Sequence, residues 1–312
     1  MKLAFILDPL DTLKVTKDSS LAMMREAQQR THRIFVMRQE DIFWKNNLVC
    51  GHAQEIALTT DRAWYRVLAE KVVPLTEFDM VLMRKDPPFD MEYVYSTYLL
   101  EFAETQKVKV INSPRAIRDH NEKFSIANFP KFITPTLVSR RIDEIRNFLN
   151  EHQDIILKPL DQMGGRSVFR VHNKDLNLKV IFETLMQHNS KTIMAQRYIP
   201  EIVNGDKRIL LIAGQVVPYA LARIPEPGET RANLAAGGRG VAQELSKRDR
   251  EIAEAVAPLL YQRGLLLVGL DIIGDYLTEI NVTSPTCFQE IAQQTGFNVA
   301  AMMLDALEKL AN

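Results

Sequence analysis

Three oxygen-bearing side chains near the C-terminal end could bind a metal ion. Glu279 and Asn281 are two residues apart in the largely apolar run 276–282, so on a β-strand both side chains point to one face. Asp271, in the preceding apolar run, could add a third oxygen. Magnesium takes hard oxygen ligands, usually one or two carboxylates with phosphate and water. The pattern predicts a magnesium site, because the strongly apolar neighbours disfavour the alternative of a hairpin with a solvated polar face.

The register of this hairpin decides whether Asp271 belongs to the site. A two-residue turn at Gly274 and Asp275 would pair Asp271 with Thr278, on the wrong face. A three-residue loop or a bulge would instead bring it opposite Glu279. We predict that Asp271 pairs with Glu279.

A second candidate is a lysine followed by two adjacent glycines. Lys158 ends the apolar run 155–158, where its ammonium can meet an anion as a point charge. Gly164 and Gly165 allow backbone N–H groups to approach phosphate oxygens. The Walker pattern GxxxxGK[ST] is absent and a strand follows, so this is not a Walker loop. With Lys158 at this spacing, phosphate binding is favoured over a plain turn.

Other polar residues carry weaker signals. The strand containing Gln196 ends before Pro200, which leaves backbone groups free to form hydrogen bonds with the edge of an adenine base. A simple strand end explains the pattern equally well. Arg208 and Arg223 lie at the starts or ends of apolar runs, where a functional role is slightly favoured over surface ion pairing. Lys123 alone indicates only a solvated lysine.

Residues 225–240 are rich in Gly, Ala and Pro and also contain arginines. This composition predicts a mobile lid that closes over a reactive intermediate and contacts anions through its arginines. A plain flexible linker is the alternative.

The composition excludes several classes of protein. Lys+Arg and Asp+Glu both number 39, which argues against sequence-blind binding of nucleic acid. No apolar run approaches the ~20 residues that span a bilayer, so we expect no membrane segment. The N-terminal apolar run stops at Asp8 and is more typical of a buried strand than of a signal peptide. Cys50 and Cys287 form no metal or disulfide motif, which fits a reduced, cytoplasmic protein.

The elements that must position these residues fall into three units. Residues 1–120 alternate strands and helices, which predicts an open, mostly parallel α/β domain. Residues 121–200 contain strands on both sides of the Gly-Gly turn and should form a small antiparallel sheet. Residues 201–312 combine strands, the loop and three helices, and carry the predicted metal site. The fold class is therefore α/β followed by α+β.

Several longer segments resemble the prokaryotic glutathione synthetases, of the ATP-grasp superfamily, over essentially the whole chain. The segments that carry the resemblance are residues 83–89, 121–123, 158–161, 221–225, 233–240 and 278–286. It implies an ATP-grasp fold, in which ATP lies between two α+β subdomains. It also implies contacts to ATP by Lys123, Lys158, Gly164, Gly165, Gln196, Tyr198, Ile199 and Asp206.

The same resemblance implies the remaining roles. Asp271, Glu279 and Asn281 would hold two magnesium ions, for which manganese can substitute. Arg208 and Arg223 would stabilise the transferring phosphoryl group. The residues implied for substrate binding are Arg84, Ser284, Arg231 and Gly238.

The reaction implied is the ligation of γ-glutamylcysteine and glycine with ATP, which gives glutathione, ADP and phosphate. Phosphoryl transfer converts the carboxylate into an acyl phosphate with a good leaving group, and the glycine amine then attacks it. The family resemblance also implies a homotetramer.

Two alternatives remain open at this point. Another ATP-grasp ligase, such as a D-alanine–D-alanine or amino-acid-tail ligase, would use the same ATP and metal residues with other acceptor pockets. A non-catalytic nucleotide-binding module would lack a metal ligand or a phosphate lysine, and the sequence has lost neither.

Overall fold

The computed structural model describes residues 1–61, 63–187, 189–226, 232 and 237–311. Three sheets organise this part of the chain. Among its helices, none has the length and apolar character required to cross a bilayer.

The first sheet has seven strands in the order β3-β4-β2-β1-β6-β7, with β5 paired to β4. The strands are β1 (Lys2–Ile6), β2 (Arg33–Met37), β3 (Ile42–Lys45), β4 (Leu48–Leu58), β5 (Tyr65–Pro74), β6 (Met80–Met83) and β7 (Val110–Ile111). The pairs β1–β2, β1–β6 and β6–β7 are parallel, as predicted, whereas β3, β4 and β5 add antiparallel pairs. Its helices are α1 (Ser19–Gln29), α2 (Met91–Thr105) and α3 (Pro114–Asp119).

Local sequence accounts for the predicted elements of this unit. Asp18 caps α1 by accepting a hydrogen bond from the Leu21 N–H, as its position before the helix predicts. The sequence pattern does not indicate β5, because most of its residues are exposed and no alternation of apolar and polar residues marks it.

The second sheet has four strands in the order β10-β9-β11-β8, and its neighbouring strands are antiparallel as predicted. Helices α4 and α5 bury their apolar faces against it and form a core that includes Ile145, Leu157 and Phe182. The elements are β8 (Thr136–Ser139), α4 (Ile142–His152), β9 (Asp154–Pro159), β10 (Phe169–His172), α5 (Leu178–Met186) and β11 (Ile193–Arg197).

The third sheet has five strands in the order β14-β13-β12-β15-β16. The elements are β12 (Asp206–Ile212), β13 (Gln215–Ile224), β14 (Arg239–Glu244), α6 (Lys247–Gln262), β15 (Leu267–Ile273), β16 (Tyr276–Asn281), α7 (Phe288–Thr295) and α8 (Val299–Ala311). The predicted loop 225–240 is too long at its C-terminal end, because Arg239 and Gly240 begin β14 and pair with β13.

The first and third sheets are joined through a buried amide and a shared apolar core. The Asn112 side chain donates to the carbonyl oxygens of Leu267 (2.8 Å) and Val282 (2.9 Å) and accepts from the Leu267 N–H (2.9 Å). One apolar cluster contains Leu3 of β1 together with Leu210 of β12. These contacts hold the third sheet, with its predicted metal site, against the N-terminal unit.

Candidate active site

The hairpin β15–β16 has the predicted register. Asp271 pairs with Glu279, and the register shifts immediately after Asp271, as expected for a bulge. Gly269 pairs with Asn281 on the same two strands. The side chains of Asp271, Glu279 and Asn281 therefore share one face of the sheet, which confirms the prediction about the register.

Two buried arginines hold the Asp271 carboxylate. Arg208 Nε and Nη2 donate to its two oxygens at 2.6 and 3.1 Å, and Arg223 Nη2 lies 2.9 Å from Oδ2. All three residues are at most 5% exposed. Burial alone would raise the pKa of Asp271, but the two guanidinium charges outweigh it and hold the pKa well below the usual range. Asp271 is therefore ionised at neutral pH.

Arg223 also binds a second carboxylate. Its Nη2 lies 2.5 Å from Asp206 Oδ2, whereas the buried Asp206 Oδ1 has no hydrogen-bond partner among the described residues. Burial raises the pKa of Asp206 to about 7, against the opposing charge of Arg223. An unpaired buried acceptor is costly, so Oδ1 is suited to a donor on a ligand.

Two buried lysines converge on Glu279. Lys158 Nζ lies 3.4 Å from Glu279 Oε1 and 3.2 Å from the Thr278 carbonyl oxygen. Lys123 Nζ lies 4.0 Å from Glu279 Oε1 and also donates to the carbonyl oxygen of Gln162. Burial lowers the pKa of the Lys158 ammonium, and the charge of Glu279 opposes that effect. Two cations in one cleft, with one carboxylate between them, suit a polyanionic ligand.

One cavity lies between the second and third sheets, and all eight residues predicted to contact ATP line it: Lys123, Lys158, Gly164, Gly165, Gln196, Tyr198, Ile199 and Asp206. Sequence reasoning missed its apolar wall, which includes Ile156, Ile202 and Ile273. Ile156 could have been predicted from the sequence, because it lies two residues before Lys158 on β9 and therefore shares its face.

A second cavity of about 410 Å³ lies where the N-terminal unit meets the other two sheets. Arg208, Arg223, Asn281 and Ser284 line it, and Glu279 lines both cavities. Burial raises the pKa of Asp86, and the nearby Ser284 side chain opposes that effect. The predicted metal-binding face thus lies where the two cavities meet.

Glu122, which the sequence did not single out, fixes the end of β16. Its Oε1 accepts hydrogen bonds from the Val282 N–H (2.8 Å), the Thr283 N–H (3.0 Å) and the Thr283 hydroxyl (2.8 Å). Its carbonyl oxygen accepts from the Ile280 N–H at 2.8 Å. The only sequence signal is its place beside Lys123, before a short turn.

Of the described residues predicted to bind substrate, Arg84 and Gly238 do not line the cavity that Ser284 lines. Arg84 is buried, donates to Ser20 Oγ (3.0 Å) and the Pro285 carbonyl oxygen (2.9 Å), and does not line either cavity. Gly238 is half-buried beside β14 and lines neither cavity. Arg231 and most of the predicted lid (227–231 and 233–236) lie outside the described residues.

Within the described ranges, no three His, Cys, Asp or Glu side chains are grouped closely enough to hold a metal ion. The predicted ligand set has two carboxylates and an amide, so that finding does not test it. The Asn281 amide nitrogen lies 3.3 Å from the Gly269 carbonyl oxygen, which leaves the amide oxygen available. The three side chains therefore fit a hard cation that also binds phosphate oxygens.

A cleft between a small antiparallel sheet and a larger sheet, lined by lysines and hard oxygen ligands, defines an ATP-grasp ligase. Solved structures share this fold. D-cycloserine synthetase DcsG superposes with a TM-score of 0.71 at 13% identity, and the match covers 99% of this chain and 100% of that one. D-alanyl-alanine synthetase A from Vibrio cholerae superposes with a TM-score of 0.61 at 15% identity, with 99% and 98% covered.

Sequence comparison gives the family. The N-terminal domain of prokaryotic glutathione synthetase matches residues 1–118, and the ATP-grasp domain of the same family matches residues 122–296. Glutathione synthetase from Nitrosomonas europaea is 61% identical, over 99% of this chain and 98% of that protein. The enzyme from Ralstonia nicotianae is 59% identical, over 100% and 96%. The chain belongs to the prokaryotic glutathione synthetase family, and it is an ATP-dependent carboxylate–amine ligase.

Proposed function

We propose that this enzyme joins the cysteinyl carboxylate of γ-glutamylcysteine to the amine of glycine, giving glutathione, ADP and phosphate. The observation that carries the proposal is Glu279, which lines both cavities. A nucleotide in the narrower cavity and a carboxylate in the wider one would meet at this residue. Family membership supports the identity of the two substrates.

ATP occupies the cavity between the second and third sheets in this proposal. Lys123 and Lys158 bind the phosphates as point charges, and the Gly164-Gly165 turn offers backbone N–H donors. Gln196, Tyr198 and Ile199 hold the adenine, next to the apolar wall. The unpaired Asp206 Oδ1 accepts a hydrogen bond from a ribose hydroxyl.

Asp271, Glu279 and Asn281 are the proposed ligands for two magnesium ions, which manganese can replace. When bound, these ions supply positive charge that reduces the repulsion between the triphosphate and the attacking carboxylate. Arg208 and Arg223 line the second cavity beside Asp271, where their charge stabilises the phosphoryl group during transfer. The product of this step is an acyl phosphate, and attack by the glycine amine releases phosphate.

Arg84, Ser284, Arg231 and Gly238 are the proposed contacts to the peptide and glycine, with the 225–238 segment as a lid. Ser284 has support from its position in the second cavity. The others rest on the family resemblance, as do a homotetrameric assembly, a cytoplasmic location and domain boundaries at residues 120 and 200.

The test is ADP release with ATP, magnesium and γ-glutamylcysteine, with and without glycine, together with mass detection of the tripeptide. We expect ADP release that depends on glycine and equals the glutathione formed. ADP release only with a different carboxylate and amine would overturn the substrates but keep the ligase chemistry. Alanine in place of glycine is a matched control, because it tests the acceptor pocket with one added methyl group.

A further inference from the structure

An arginine–aspartate pair lies beside the cavity between the second and third sheets and has no part in the function proposed above. Arg170 on β10 donates from Nε to Asp154 Oδ1 at 3.0 Å and from Nη2 to Asp154 Oδ2 at 2.7 Å. Two parallel hydrogen bonds of this kind fix the plane of the guanidinium. The side chains are 33% and 26% exposed, and neither residue lines the cavity. Any effect of the pair on the cavity must therefore pass through a neighbouring residue.

That neighbour is Tyr198, one of the residues that line the cavity. The guanidinium carbon of Arg170 lies 3.6 Å from the centroid of the Tyr198 ring, so the cation covers the ring at contact distance. The Tyr198 N–H also donates to the Asp154 carbonyl oxygen at 3.0 Å. Tyr198 is thus held at two points, its main chain by Asp154 and its ring by Arg170.

The strand register places Arg170 on the cavity side of the second sheet. Residues directly opposite each other in an antiparallel pair lie on the same face. Arg170 is opposite Ile156 in the β9–β10 pair, and Gln196 is opposite Ile156 in the β9–β11 pair. Ile156 and Gln196 both line the cavity. Arg170 therefore projects on the side of the cavity, where its guanidinium covers a lining residue instead of entering the cavity itself.

We propose that Arg170, oriented by Asp154, is a positioning residue for the base of the nucleotide, because it fixes the Tyr198 ring before the nucleotide binds. The inference rests on the proposed function, in which Tyr198 contacts adenine. Ordering a free side chain at a binding site opposes binding, and the stacked guanidinium removes that cost. Since Arg170 and Asp154 carry opposite charges, the pair adds little net charge near the cavity. Its effect should therefore be confined to the base, whereas Lys158 acts on the phosphates.

The test is calorimetric binding of two ligands, a non-hydrolysable ATP analogue and inorganic triphosphate, both with magnesium. Arg170→Met should weaken the analogue by about 3- to 10-fold and should leave triphosphate unchanged, because triphosphate has no base. The matched control is Arg141→Met, which breaks an exposed ion pair with Asp143 on the same unit and should change neither affinity. An unchanged affinity for the analogue in Arg170→Met, or an equal loss for both ligands, would overturn the inference.

A double-mutant cycle asks whether Arg170 acts through Tyr198. In a Tyr198→Ala background the ring is absent, so adding Arg170→Met should change the affinity for the analogue by less than about twofold. The full 3- to 10-fold effect in that background would refute the positioning role. Asp154→Asn provides a second variant. It keeps the main-chain hydrogen bond to Tyr198 but weakens the hold on Arg170, so it should show the same selective loss to a smaller degree.

Failure of this inference is distinguishable from failure of the proposed function. A wild type that binds neither ligand would overturn the proposed nucleotide site and this inference with it. A wild type that binds both, with Arg170→Met binding the analogue equally well, would overturn this inference alone.

Discussion

Replacement of Arg223 by methionine should destabilise the enzyme strongly, apart from any loss of activity. Arg223 is 4% exposed and binds two carboxylates, Asp206 at 2.5 Å and Asp271 at 2.9 Å. Methionine fills similar volume but leaves Asp206 without its cation, whereas Asp271 keeps Arg208. Removing one partner from a buried ion pair costs about 3–5 kcal/mol.

The pH dependence of this loss follows from Asp206. Burial raises its pKa to about 7 even with Arg223 present, so the folded protein holds this proton more tightly than the unfolded chain does. Without Arg223 the pKa is higher still. The charged carboxylate is unfavourable above that pKa, and protonation relieves the cost as the pH falls. The loss should therefore be larger at pH 8 than at pH 6.

The assay is thermal unfolding of four proteins: wild type, Arg223→Met, Asp206→Asn and the double variant. At pH 8 we expect Arg223→Met to unfold about 6–10 °C lower than wild type. The double variant should recover most of that loss, because no unpaired charge remains. Both variants that lack Arg223 should stay ~10²-fold or more below wild type in kcat. Equal unfolding temperatures for Arg223→Met and wild type would refute the reasoning.

Three further predictions concern single side chains. Lys158→Met should weaken binding of a non-hydrolysable ATP analogue by about 10- to 100-fold in calorimetry, because a charge-assisted contact to phosphate is lost, whereas Lys179→Met on α5 should not change it. Glu122→Ala leaves three donors without their acceptor and should lower the free energy of unfolding in urea by about 2 kcal/mol. Glu122→Gln keeps an acceptor oxygen and should lower it less. Equal losses of stability in the two variants would contradict the role of Glu122 in anchoring β16. Burial raises the pKa of Glu104 to about 7, so its charge opposes folding increasingly as the pH rises from about 4.5 to 7. Glu104→Gln should therefore be more stable than wild type at pH 8 and should lose that advantage near pH 4.5. A difference in stability between the two proteins that stays constant with pH would contradict the prediction.

Local periodicity was sufficient to predict the register of the β15–β16 hairpin, whereas the set of eight residues that line the cavity between the second and third sheets came from the family resemblance. The two-residue period of a strand put Glu279 and Asn281 on one face, and the turn geometry required a three-residue loop or a bulge for Asp271 to join them. Lys158 was recognisable because a charged residue at the end of a buried strand needs a partner.

Contacts between distant segments could not be predicted in the same way. Glu122 and the end of β16 are about 160 residues apart in sequence, and no local pattern links them. Arg84 has the residue type of an anion-binding group, but its guanidinium joins Ser20 to Pro285.

The distribution of apolar cores has a consequence for how the enzyme opens. The first and third sheets share one core and are tied by Asn112, whereas α4 and α5 close a separate core on the second sheet. Thermal fluctuations that move the second sheet away from the third would break the contacts of Lys123 and Lys158 with Glu279 and would separate Met194 from the apolar cluster of the third sheet. In native-state hydrogen exchange, the amides of β1 and β12 should share one slow opening event, and those of β9 and β11 should follow a faster one. Because bound nucleotide would contact both the second and the third sheet, it should slow the exchange of the β9 and β11 amides most.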